Sequence, residues 1–87
     1  MEKKLRLCVV TQDATVFDSD VNYVNIPTTN GSLGILTGHC PMVCAVGRGA
    51  IRCGFVGEGG AVIEVAGGIA EVSNNTVTVL ATDAKLR

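Results

Sequence analysis

Residues 21–47 contain no aspartate, glutamate, lysine or arginine, and His39 alone interrupts their neutrality. Tryptophan is absent from the chain, and Phe17, Tyr23 and Phe55 are its only aromatic residues. With so few large rings, small and branched side chains must fill the core, and valine and isoleucine suit a pleated sheet. Long apolar runs are missing too. The uncharged stretch is broken by Asn, Thr, Gly and Pro well short of the roughly 18 residues that cross a bilayer as a helix. The opening MEKKLRLCVV is basic and then apolar, but its apolar part is too short for an export signal, and Asp13 and Asp18 follow soon after. No stripe of positive charge exists in a chain of net charge −1, which excludes the electrostatic footprint of a nucleic-acid binder. Without an export signal, Cys8, Cys40, Cys44 and Cys53 are expected in a reducing compartment, as buried, small apolar side chains.

What is present is a period of two. LRLCVV places Leu5, Leu7 and Val9 opposite Arg6, Cys8 and Val10. AVIEVA sets Ala61, Ile63 and Val65 against Val62, Glu64 and Ala66, and TVTVL sets Val77 and Val79 against Thr76, Thr78 and Leu80. Such alternation marks half-buried strands. Turn signals punctuate these runs: TQDA, TTNG, GHCP, GRG, GEGG, AGG and SNN, rich in residues that tolerate positive φ. About eight to ten short strands fit between them, the pattern of a sandwich or barrel. The length of 87 residues allows a single domain, here 1–87, with strands over about 4–81. ATDAKLR offers Thr82 or Asp83 as a helix N-cap but stops before two turns, so 82–87 read as a tail.

The chemistry-bearing residues fail as sites on spacing. His39 and Cys40 are adjacent and would face opposite ways in extended chain, and Cys40 and Cys44 do not form a zinc knuckle with a second pair. A Cys/His nucleophile would need an orienting carboxylate, and none lies beside His39. No glycine run ends in the Lys-Ser/Thr of a phosphate loop or leads into a helix. These readings leave no catalytic residue, no metal ligand and no cofactor. The apolar surplus and the charge-depleted stretch point instead to a surface that meets a partner. On composition alone that leaves either a subunit of an assembly or a free-standing β-sandwich adaptor or small-ligand module.

The order of the motifs is more specific. Phe17, the turn at Pro27, Gly31-Ser32-Leu33-Gly34-Ile35-Leu36 and Thr37-Gly38-His39-Cys40-Pro41 stand in sequence. Gly67-Gly68-Ile69-Ala70-Glu71-Val72 and Asn75-Thr76-Val77-Thr78-Val79-Leu80-Ala81 follow. Nearly end to end, the chain resembles the N-terminal β-sandwich domain of the epsilon subunit of F-type ATP synthases, called delta in mitochondria. The resemblance implies an all-β, ten-stranded sandwich. It also implies a non-catalytic role in the rotating central stalk, which couples ion translocation to ATP synthesis. The implied partners are the gamma subunit and the ring of c subunits. Gamma would meet Thr11, His39, Met42, Val43 and Cys44, and the ring would meet Asn30, Gly31 and Ser32. The protein would then be peripheral to the membrane through the ring, not inserted in it. Its place would be the cytoplasmic face of a bacterial inner membrane or the equivalent organellar face.

Departures from the family pattern carry expectations of their own. Ser32 stands where relatives often have an acidic residue, so contact with the ring would rest on turn shape and hydrogen bonds. Cys40 and Cys44 replace the commoner Ala and Thr. The helical hairpin that usually follows this domain is not in the 87 residues, so neither its inhibition of ATP hydrolysis nor its ATP binding is expected.

Overall fold

The computed structural model describes residues 4–38 and 40–87. Seven strands and no helix occur among them: β1 (Leu5–Val10), β2 (Thr15–Thr28), β3 (Gly31–Ile35), β4 (Met42–Phe55), β5 (Gly60–Ser73), β6 (Thr76–Ala81) and β7 (Ala84–Leu86). They hydrogen-bond in the order β1-β6-β5-β4-β2-β3, and β1 also pairs with β2, which closes the sheet on itself. Every pairing is antiparallel except β1 with β6.

The all-β class is as expected, but the chain punctuates it differently. β2, β4 and β5 each run for 14 residues. The glycines at GRG and AGG, read from sequence as chain reversals, lie inside β4 and β5. Val46 pairs with Gly68 and Gly49 with Val65 in one ladder whose register does not shift. What changes there is the buried face. β5 buries Ile63 and Val65 and then, an odd step later, Ala70 and Val72. A strand changes face only where its alternation is broken. Gly67 and Gly68 break it, with φ of 118° and 146° that side chains rarely adopt. β4 switches likewise between Val46 and Ile51. β2 switches between Val21 and Val24, where its register to β4 slips at a bulge. Each long strand thus gives one half to each layer, and splitting these three recovers the ten short strands expected.

Residues 82–87, expected as a tail, instead extend the sheet. β6 and β7 occupy one lane beside β5, with Ile69 opposite Leu80 and Val65 opposite Ala84. The lane is stitched between them by Thr82 N–H donating to Gly67 O at 2.9 Å and Ala66 N–H donating to Asp83 O at 3.1 Å. Arg87 closes it, donating through Nε to Glu64 Oε1 at 2.8 Å. The N-cap reading of Thr82 and Asp83 fails because residues 82–87 take up the ladder edge that β5 offers beyond β6, which satisfies their backbone groups.

The core is aliphatic, built on Leu5, Leu7, Val9, Val24, Ile26, Ile35, Ile51, Ile63, Val72, Val77 and Val79. No polar or charged side chain is buried among the described residues. Cys53 is buried within it, its thiol donating to Ala61 O at 3.8 Å, and burial pushes its pKa up. Because the folded value lies above the unfolded one, the associated stability is complete below the ordinary thiol range. It is lost as pH rises through the folded value. Cys53→Val should remove that loss, flattening the decline of unfolding free energy above about pH 8.5 by up to ~1.4 kcal/mol per pH unit. Urea titrations of both chains at neutral and alkaline pH measure it, and identical pH slopes would contradict it.

Candidate functional site

The pairing registers place residues from five strands in transverse rows on one outer face. Ala45 is opposite Ile69, Ile69 opposite Leu80, and Leu80 beside Val10. The next row is Val43, Glu71, Thr78, Cys8 and Asp18. Val43 is 66 % exposed, Ile69 54 % and Leu80 55 %, so these large apolar side chains lie open to solvent although the core beneath them is complete. A row of Ala, Ile, Leu and Val across β4, β5, β6 and β1 is an apolar strip, with Glu71, Asp18 and Arg6 as its polar margin. Arg6 donates through Nε to Asp18 Oδ1 at 2.8 Å, and this bond and the carboxylate charge raise the guanidinium pKa. Cys8, in the same row, has its thiol pKa raised first by partial burial and then by the charge of Asp18.

The residues expected to face gamma are distributed around this strip rather than gathered in one loop. Val43 lies beside its β4 end, Ala45, one row away. Thr11 is at the β1 end, where its N–H donates to Ala14 O at 2.9 Å and its hydroxyl accepts from Ala14 N–H at 3.3 Å to shape the β1–β2 turn. Met42 and Cys44, on either side of Val43, are half-buried and pack against the core, because alternate residues of a strand face opposite ways. His39 lies outside the described residues. Ile69 and Leu80 were not singled out from sequence as contact residues. The available signal was that Leu80 falls on the polar side of TVTVL, a large apolar residue where the pattern calls for a polar one.

The residues expected to face the ring form the tip of the β2–β3 hairpin. Asn30, Gly31 and Ser32 are all exposed. Thr28 Oγ1 donates to Gly31 O at 2.6 Å and accepts from Asn30 N–H at 3.2 Å, which fixes the turn from within. The hairpin leans on β4, where Thr28 pairs with Val46.

The uncharged stretch 21–47 therefore divides. Val21, Val24, Ile26, Ile35 and Val46 serve the core, and only Val43 and Ala45 join the strip. The cysteines divide as well: Cys53 is buried, Cys8 and Cys44 are half-buried, and Cys40 is exposed, against the expectation of burial. Among the described residues no three His, Cys, Asp or Glu side chains are grouped to hold a metal ion.

The fold and this face define a small, closed all-β sandwich with one apolar outer strip. The chain belongs to the family described as ATP synthase, Delta/Epsilon chain, beta-sandwich domain, which matches residues 4–87. It is 50 % identical over 76 residues to the ATP synthase epsilon chain of Synechococcus sp. (strain JA-2-3B'a(2-13)), covering 87 % of this chain and 55 % of that one. It is 42 % identical over 82 residues to the ATP synthase epsilon chain of Prochloron didemni, covering 94 % of this chain and 60 % of that one. The chain thus spans little more than half the length of these relatives. Its fold is similar to a chain in the cryo-EM structure of Euglena gracilis mitochondrial ATP synthase, OSCP/F1/c-ring in rotational state 1. There the TM-score is 0.88 at 23 % identity, over 99 % of this chain and 55 % of that one.

Proposed function

We propose that this chain is a non-catalytic subunit of the F-type ATP synthase rotor, binding gamma and the c ring and helping to couple ion translocation to ATP synthesis. The observation that carries the reading is the strip Ala45–Ile69–Leu80–Val10, an apolar face left uncovered on a chain of this family. Gamma covers the strip, with Val43 beside its Ala45 end and Thr11 just past its Val10 end, while Met42 and Cys44 support Val43 from the core side. His39 is proposed as a gamma contact by the family pattern alone. The turn Asn30-Gly31-Ser32 touches the ring, offering backbone groups and the Ser32 hydroxyl.

Its mechanical part is to be stiff. A sheet closed by the β1–β2 pairing, with three strands shared between both layers, resists shear between gamma and the ring without a hinge. The chain is then held at the membrane through the ring, on the cytoplasmic face of a bacterial membrane or its organellar equivalent. Purification of the chain with gamma and the c ring tests the reading. A stoichiometric complex is expected, and a chain that stays monomeric in their presence would refute it. Val43→Asp should weaken gamma binding by about 2 kcal/mol or more while leaving the fold intact, since it buries an unpaired charge on binding. Met42 is the poorer test because it also packs on the core.

A further inference from the structure

The β5–β6 hairpin turns through Asn74 and Asn75, with φ of 51° and 57°. Two successive positive φ values define a type I′ turn, whose second position favours glycine. This chain has asparagine there, and its side chain is engaged elsewhere: Asn75 Oδ1 accepts from Gly38 N–H at 2.7 Å, across 37 residues of sequence. The backbone of the same residue accepts from Arg6 N–H at 2.9 Å. Asn75 therefore ties the segment between β3 and β4 to the turn and to the start of β1. Beside this tie lies a concavity of about 310 Å³, bounded by Pro41, Met42 and Val43 on one side and Glu71, Val72 and Ser73 on the other. It is continuous with the strip at Val43 and Glu71.

We infer that Asn75 is a positioning residue for partner binding. Its side-chain amide clamps the β3–β4 segment, so that the edge of the apolar face is formed before gamma arrives. The inference rests on the reading of the strip as the gamma face, and its energetic logic is preorganisation, since a segment ordered in advance need not be ordered on binding. It also explains why the turn forgoes the glycine that its backbone would prefer.

The test compares two variants. Asn75→Gly keeps the positive φ and removes the acceptor, and Asn75→Asp keeps an acceptor at the same place. Hydrogen exchange at the Gly38 amide and the affinity for purified gamma are measured on both. Asn75→Gly is expected to speed Gly38 exchange at least tenfold and to weaken gamma binding about tenfold, with unfolding free energy unchanged or raised. Asn75→Asp should leave both near the wild-type values. Unchanged Gly38 exchange in Asn75→Gly would overturn the clamp, and faster exchange with unchanged affinity would overturn its role in binding. If the wild-type chain itself ignores gamma, the proposed function fails, while Gly38 exchange still decides the clamp.

Discussion

Gly68→Ala is expected to cost at least ~3 kcal/mol of stability. A Cβ on Gly68 would lie 2.8 Å from Ala81 Cα and closer still to the Leu80 carbonyl oxygen. Neither is a flexible side chain that can swing away. Gly68 and Ala81 are ladder partners, and β6 is held on its far side by β1. The φ of 146° adds backbone strain for any residue with a Cβ. A chain of this length holds on the order of 4–13 kcal/mol in total, so the variant should show a much lower urea midpoint or fail to fold. Gly34→Ala is the control: nothing lies within 4 Å of its added methyl, and its cost should stay within about 0.5 kcal/mol. Equal midpoints for the two variants would contradict the account of β5 as a strand that changes face at its glycines.

The second large effect is on association. Ile69→Asp or Leu80→Asp should each reduce affinity for gamma by about 100-fold, or ~3 kcal/mol, because the carboxylate would be desolvated without a partner at the middle of the strip. Each should cost the isolated chain less than about 1 kcal/mol, since both side chains are exposed on a complete core. The variants are best made singly, because Ile69 and Leu80 are directly opposite and two carboxylates there would repel. Leu86→Asp is the matched control, an exposed apolar residue on β7 away from the strip. Comparable losses at Leu86 and Leu80 would show that generic surface hydrophobicity, and not this face, is what gamma meets.

Much of this was legible in the sequence. Alternation set Leu5, Leu7 and Val9, Ala61, Ile63 and Val65, and Val77 and Val79 each on one face of a half-buried strand, and all but the half-buried Ala61 are in the core, because each of these runs keeps one phase. The ordered motifs gave the family. What the sequence hid was the change of phase. A Gly-Gly pair reads equally well as a reversal or as a corner, and only the ladder from Val46 to Gly68 decides between them. The strip was hidden for the same reason. Ile69 and Leu80 are 11 residues apart and meet only once the β5–β6 register is fixed by the Asn74-Asn75 turn. β7 was missed because its three residues gain their strand character from the free edge of β5 and not from their own pattern.

On the proposed reading the strip, and not the other exposed apolar residues, is the surface gamma covers. Methyl-resolved NMR of the chain titrated with gamma decides it, because the apolar residues exposed among the described ones include Val43, Ile69 and Leu80 in or beside the strip and Val56 and Leu86 on other strands and loops. The methyls of Val43, Ile69 and Leu80 should shift or broaden together at substoichiometric gamma while those of Val56 and Leu86 hold still. Perturbation confined to Val56 and Leu86, with Ile69 and Leu80 unmoved at saturation, would contradict it.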